Sequence, residues 1–282
     1  MPELPEVETI RRQLDEVLVG KMIKKITVLK DKSFCGDEKS LVDCKIERVG
    51  RKAKILEIFF SGNSQMLIVH LKMTGQLVYV DGKKRIAGGH PTADWVSNLP
   101  RKHTRVIIDF SDGGKLFFND MRSFGWMKIV EKVKYESEIR NSAPDVTDKE
   151  FTLKYFSNLI IKTNKVIKQL LMDQEMIGGV GNIYANDALY LAKVMPNRKT
   201  NSLSRKEIKK IYDSIKMVIN KGIKYGGASA ANYVDTKGMG GTYQNYFLVY
   251  KKDGKKCFKC GEKISKIKLG GRGTYFCPIC QK

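Results

Sequence analysis

Four of the six cysteines in the 282-residue sequence form two tight pairs near one end, Cys257-x-x-Cys260 and, after sixteen intervening residues, Cys277-x-x-Cys280. Two knuckles at this spacing suit a tetrahedral thiolate site for zinc, and four thiolates leave no position open for a reacting water. The quartet therefore predicts one structural zinc ion rather than disulfides or a redox pair. Cys35 and Cys44 lie elsewhere and read as free thiols. A second kind of chemistry sits at the other end, in Met1-Pro2-Glu3-Leu4-Pro5-Glu6-Val7-Glu8. Pro2 follows the initiator methionine, so removal of Met1 would expose a secondary amine with a base pKa of roughly 7.7–8.0. Such an amine, when neutral, can attack an aldehyde-like carbon and form an iminium, as a catalytic lysine does. Glu3, Glu6 and Glu8 put carboxyl groups where a general acid or base is wanted. The same octet also suits a plain helix start, with proline in the first turn and acids at the positive end of the dipole. Both readings can hold together.

The charge balance narrows the partner. Lys+Arg of 52 against Asp+Glu of 30 gives a formal charge of +22, and a polyanion is the economical explanation. Nucleic acid fits better than an anionic membrane. No uninterrupted apolar stretch approaches the length of a membrane span, and the first residues are acidic where a signal peptide would be basic. The expectation is a cytoplasmic protein with no membrane contact.

The elements that must position these residues fall into two halves. Ile10, Leu14, Val17 and Leu18 mark one face of a helix ending at Gly20. Strands are predicted over 23–29, 46–49, 55–60, 65–71, 76–80, 106–110, 115–118 and 126–130, with residues 81–104 as a loop excursion. A run of short strands of this kind predicts a β-sandwich or barrel. Over 133–150 charge rises and Asn141-Ser142-Ala143-Pro144-Asp145 supplies turn chemistry, which places a linker there. Helical spacing dominates afterwards, over 151–161, 165–173 and about 205–222. The organisation expected is a sandwich domain over 1–132, a linker over 133–150, a helical domain over 151–249 and a zinc-bound hairpin over 250–282.

Within that frame some residues have two readings. Gly178-Gly179-Val180-Gly181 before Asn182 is either a helix connector or a tight turn whose N–H groups meet a phosphate. Residues 226–241, mixing Gly, Ala and Ser with Tyr233 and Lys237, are a connector or a functional loop. The last 32 residues hold ten Lys/Arg against two acids, a phosphate-facing surface. By residue type alone Lys54 is a solvated strand lysine, His70 a satisfied histidine and Met73 core filler.

Several motifs, in order along the whole chain, change that balance. MPELPEVETIRR, His70-Leu71-Lys72-Met73-Thr74-Gly75, Asp120-Met121-Arg122-Ser123-Phe124-Gly125, Gly179-Val180-Gly181-Asn182-Ile183-Tyr184-Ala185 and the C-terminal zinc knuckles together resemble the bacterial formamidopyrimidine-DNA glycosylase family. The resemblance implies an α+β multidomain fold: an N-terminal β-sandwich with an N-terminal helix, then a helix–two-turn–helix domain with a zinc-bound β-hairpin. It implies a monomer acting on damaged double-stranded DNA in the cytoplasm, as a bifunctional glycosylase and AP lyase for oxidised purines in base excision repair.

The resemblance also implies roles. Pro2 would form a Schiff base with the sugar and Glu3 would serve as acid and base. Lys54 and Arg272 would grip phosphates and assist elimination, Arg272 at the hairpin tip. His70, His103, Lys168 and Asn182 would contact DNA near the lesion. Met73, Arg122 and Phe124 would fill the gap left by an extruded nucleotide, as apolar wedges and a hydrogen-bonding probe do elsewhere. The stretch 226–241 matches the loop that covers the everted base, and the active site would lie between the two domains. The sequence departs from the family's pattern at Ser123, where many members carry a second arginine, and at Thr163-Asn164, which interrupt a basic run. Two rivals are weighed against this reading. An endonuclease VIII-type enzyme would prefer oxidised pyrimidines, but Leu4 stands where such enzymes have glycine. A non-catalytic zinc-ribbon binder would leave the Pro2-Glu3 pair unexplained.

Overall fold

The computed structural model describes residues 1–82, 84–89, 99–140, 142–228 and 241–282. The chain divides into two units, Met1–Asn141 with Tyr225–Thr242, and Ser142–Lys224 with Tyr243–Lys282.

The first unit begins with helix α1 (Leu4–Leu18) and continues through β1 (Ile23–Val28), β2 (Phe34–Cys35), β3 (Ile46–Lys52), β4 (Ile55–Phe60) and β5 (Gln65–His70). Then come β6 (Gly75–Asp81), β7 (Lys84–Gly89), β8 (Thr104–Phe110), β9 (Lys115–Asp120), β10 (Trp126–Glu131) and helix α2 (Lys132–Arg140). The strands make two five-stranded sheets, ordered β1-β8-β9-β6-β7 and β2-β10-β5-β4-β3. One apolar core serves both, with Leu56, Phe60, Leu67 and Val69 from one sheet and Leu77, Val106, Ile108 and Phe118 from the other. In β8 buried and half-buried positions alternate along the strand, the two-residue period of a pleated surface. Helix α1 joins that core through Val7, Ile10, Leu14 and Leu18, the stripe its three- and four-residue spacing predicts. This is the β-sandwich with an N-terminal helix that the sequence led us to expect.

Two crossovers matter for function. The chain leaves β5 in one sheet and enters β6 in the other, and it returns from β9 to β10. His70 pairs with Trp126 in the first sheet, and Gly75 pairs with Asp120 in the second. The two connecting turns, 71–74 and 121–125, therefore run side by side at one rim. The excursion expected over 81–104 contains β7, whose partner is β6. Its sequence has little strand character, and backbone pairing to an available edge decides its conformation. The segment read as linker contains α2, a charged helix anchored by buried Tyr135, which packs on Phe59, Met66 and Ile68 and donates to Glu57 at 2.8 Å.

The second unit holds α3 (Leu153–Lys162), α4 (Ile167–Met172), α5 (Asn182–Ala192) and α6 (Arg205–Lys224), followed by the hairpin β11 (Ser265–Leu269) and β12 (Arg272–Phe276). Helices α5 and α6 pack closely where Gly222 meets Tyr184; a Cβ at Gly222 would stand 2.5 Å from that ring. Ile208, Ile211, Ile215 and Ile219 line the buried face of α6, while Lys206, Lys209 and Lys210 are exposed. Among the described residues no helix is long and apolar enough to cross a membrane.

Candidate nucleic-acid interface and zinc site

Pro2 and Glu3 are buried just before α1, and Met1 is exposed. The Glu3 N–H donates to Glu6 Oε2 at 2.7 Å, the reciprocal cap that starts the helix. The other Glu6 oxygen accepts the Ala228 N–H at 2.7 Å. Glu6 thus ties the start of the chain to the last described residue before 229–240. Of the loop expected over 226–241, residues 229–240, which include Tyr233 and Lys237, lie outside the described residues. Glu8 is bound to Arg11, Arg12 and Arg51. Burial pushes its carboxyl up, but the three guanidiniums outweigh that and hold it below the ordinary range. Glu6 and Glu8 are therefore committed to structural contacts.

Lys54 is buried in the two-residue turn between β3 and β4. The turn needs a left-handed residue, which is Ala53 at φ +50°, and its carbonyl accepts Arg51 Nη1 at 2.9 Å. Since Arg51 also binds Glu8, helix α1 fixes the hairpin that carries Lys54.

At the crossover rim, His70 ends β5 with its ring against Trp126, centroids 5.7 Å apart. Its Nδ1 accepts the Lys72 N–H at 2.9 Å, so the ring proton belongs on Nε2. Burial, reinforced by the charges of Lys72 and Lys54, pushes its pKa down to about 3. His70 is therefore a neutral imidazole that can donate one hydrogen bond through Nε2. Met73 is half-buried in the following turn, beside left-handed Lys72 (φ +49°). Gly75 closes that turn where no side chain fits, since a Cβ would lie 2.4 Å from the Leu71 carbonyl oxygen.

The neighbouring turn presents Arg122 and Phe124 to solvent. Phe124 is 48% exposed, and the Arg122 guanidinium lies 4.6 Å from its ring centroid. Ser123 between them is left-handed, φ +52°. His103 precedes β8, and its carbonyl accepts the Asp120 N–H at 2.8 Å. The fold thus gathers His70, Met73, His103, Arg122 and Phe124 on the ends of adjoining strands, although 54 positions separate the outermost two.

In the second unit Lys168, Asn182 and Arg272 also converge. Lys168 is buried, and its Nζ donates to the Gly273 carbonyl at 3.1 Å and to Thr274 Oγ1 at 2.7 Å. Asn182, at the first turn of α5, donates to the same carbonyl at 3.1 Å. Asn186, one turn along, accepts the Tyr275 N–H at 2.8 Å. Three side chains from α4 and α5 therefore hold β12, leaving exposed Arg272 beside the hairpin tip. The tip is the two-residue turn Gly270-Gly271, with φ +56° and +73°, a conformation only glycine adopts freely.

The four Sγ atoms of Cys257, Cys260, Cys277 and Cys280 lie within 4.8 Å of one another, a donor set and spacing that fit one structural zinc ion. Tyr190 Oη is 3.1 Å from Cys257 Sγ. Gln281 accepts the Cys277 N–H at 2.9 Å and donates to the Val194 carbonyl at 2.8 Å, fastening the knuckle to the end of α5. Fully buried Asp187 accepts the N–H groups of Leu248, Val249 and Tyr250 at 3.2, 3.0 and 3.2 Å. Neither Asp187 nor Asp120 stands out by residue type; the available signal is an acid just after the Gly179–Ala185 motif for Asp187, and the first position of the Asp120–Gly125 motif for Asp120.

Comparison with known proteins matches three family descriptions to this chain. They are the formamidopyrimidine-DNA glycosylase N-terminal domain over residues 1–127, the formamidopyrimidine-DNA glycosylase H2TH domain over 142–233, and the zinc finger found in FPG and IleRS over 254–282. The formamidopyrimidine-DNA glycosylase of Pelotomaculum thermopropionicum is 39% identical over 289 residues, covering all of this chain and 99% of its own. That of Listeria monocytogenes is 39% identical over 290 residues, covering both chains fully. Among solved structures, Lactococcus lactis Fpg bound to DNA containing an abasic site matches with a TM-score of 0.87, 34% identity and 99% coverage of each chain. The same protein bound to DNA containing an oxidised pyrimidine matches with a TM-score of 0.86, 35% identity and full coverage of both chains.

Proposed function

The chain belongs to the formamidopyrimidine-DNA glycosylase family, and from that premise we propose that it removes oxidised purines from duplex DNA and then cleaves the backbone as an AP lyase. The observation that carries this reading is the exposed Phe124 with the Arg122 guanidinium over its ring, on a turn that Asp120 and Thr74 tie to the turn bearing Met73. Extruding a nucleotide leaves a void, and an aromatic wedge with a hydrogen-bonding guanidinium offsets that cost.

The mechanism follows from the residue types. Once Met1 is gone, the Pro2 nitrogen lone pair attacks C1′ and the glycosidic bond breaks, its electrons leaving with the damaged base. Glu3 delivers a proton to the opening sugar and later takes one back, and loss of the ring C–O bond gives an iminium between Pro2 and C1′. Abstraction of a C2′ proton expels the 3′ phosphate (β-elimination). A second elimination expels the 5′ phosphate, leaving a one-nucleotide gap. Lys54 and His70 from the first unit, and Asn182 and Arg272 from the second, hold phosphates; His103 adds a contact. His70 does so as a neutral donor, and Lys168 acts through the hairpin that carries Arg272. Zinc keeps that hairpin folded and takes no part in the chemistry.

Borohydride trapping on 8-oxoguanine duplex tests the assignment. The mature wild-type chain should trap one DNA strand covalently. Pro2→Gly should lose most trapping while retaining lesion binding within roughly ten-fold, since only the nucleophile changes. Undiminished trapping after chemical blocking of the N-terminal amine would refute the Pro2 assignment. The complex of Lactococcus lactis Fpg with oxidised-pyrimidine DNA supports a second, overlapping reading in which such lesions are also bound. A panel of oxidised purines and pyrimidines ranks the two.

A further inference from the structure

The geometry points to Asp120 as the positioning residue of the void-filling set: its buried carboxylate holds the Met73 turn and the Arg122–Phe124 turn in one register. This inference rests on the function proposed above and assigns a role to a residue that is fully buried within the protein.

Asp120 is fully buried at the end of β9. Its Oδ2 accepts the Gly125 N–H at 2.6 Å. Its Oδ1 accepts the Arg122 N–H at 3.1 Å and the Thr74 hydroxyl. The Thr74 oxygen in turn lies 3.0 Å from the Arg122 N–H, so one donor is shared between the two acceptors. Through its main chain Asp120 reaches a third segment: its N–H donates to the His103 carbonyl and its carbonyl accepts Arg105 Nε, each at 2.8 Å. One residue therefore links the stretches bearing Met73, His103, Arg122 and Phe124.

The carboxylate matters for a specific reason. Its bonds to the Arg122 and Gly125 N–H groups bracket Ser123, which sits in the left-handed region where a side chain is strained. Ser123 stays there because the residues on either side of it are pinned. An amide in place of the carboxylate would offer one acceptor oxygen and turn an NH2 donor toward another donor. Either Gly125 or the Arg122–Thr74 pair would then be left without a partner, and the turn could relax by moving Arg122 and Phe124 off the stack.

The test separates wedge placement from the chemical site. Asp120→Asn should slow single-turnover excision from 8-oxoguanine duplex by roughly ten-fold or more, since small misplacements near a reacting centre are costly. Borohydride trapping on single-stranded DNA with a preformed abasic site, which has no stack to enter, should stay within about two-fold of wild type. Thr74→Val, which removes only the link between the two turns, should shift the same readouts in the same direction by a smaller factor. It carries the test if Asp120→Asn does not fold. Duplex excision within about two-fold of wild type in both variants overturns the inference, as does trapping that falls in parallel with excision. A wild-type chain that neither excises nor traps overturns the functional reading and this inference with it; an active wild type with unaffected variants overturns only the inference.

Discussion

His70, proposed above to meet a phosphate, shows how local packing sets the charge state of a ring. The Lys72 N–H occupies Nδ1, burial removes the ring from water, and two lysines oppose a further positive charge. The ring consequently offers a neutral Nε2–H donor, and a backbone phosphate needs only that. The linkage sign follows. Below the ordinary value of 6.5 the unfolded ring takes up a proton, whereas the folded ring refuses one until about 3. Folding stability contributed by this site is complete above pH 6.5 and is lost as pH falls toward 3. Nitrogen-detected NMR should find the Nε2–H tautomer unchanged from pH 8 to about 5, and His70→Gln should flatten the acid limb of the stability profile. A ring that titrates near its ordinary value would overturn this account. Glu8 is the complementary case, a carboxylate surrounded by arginines whose work is to hold Arg51 and so the Lys54 turn.

Among the elements, the C-terminal hairpin depends most on outside support. It has two five-residue strands and little apolar cover, with three of the five β11 residues exposed. Such a hairpin is marginal alone. Zinc holds one end, and Lys168, Asn182 and Asn186 hold β12 along its length. Chelating the metal, or replacing Cys277 with Ser, should release the hairpin and weaken lesion-DNA affinity roughly 100-fold or more, while the β-sandwich keeps its cooperative melt. Amide exchange read by mass spectrometry checks this directly: protection should fall over 254–282 and persist in β4, β5 and β9. Retained lesion affinity in the zinc-free protein would count against the role given to Arg272. Gly270 is part of the same design, since a Cβ there would stand 2.7 Å from the Gln169 amide.

For the whole molecule the governing quantity is the charge of +22. Each phosphate neutralised by Lys or Arg releases condensed counterions, so the logarithm of the binding constant should fall linearly with the logarithm of salt, by roughly 0.9 per contact on duplex DNA. With Lys54 and Arg272 among several such contacts, affinity for lesion duplex should drop by roughly 10³-fold or more between 50 and 200 mM salt. Fluorescence anisotropy measures the slope. Arg272→Ala should reduce it by about one, whereas His70→Gln, which removes a neutral donor, should weaken binding and leave the slope unchanged.

How much of this was legible beforehand depended on whether the information was local. The zinc quartet, the α1 stripe, the sandwich and the helical second half are written in spacing and periodicity, and these determine which groups face a ligand or a core. Resemblance added roles for Pro2, Arg122 and Phe124 that no local physics distinguishes from a helix start or a surface pair. Three features depended on the folded chain. Strand β7 forms from unpromising residues because β6 has an edge to pair. Lys168 is buried against a carbonyl more than a hundred positions away. Asp120 gathers donors from three segments whose adjacency exists only because two crossovers run side by side between the sheets. Periodicity records which way a side chain points; which distant backbone it meets is decided by sheet order and register, and these emerge only when the whole core packs.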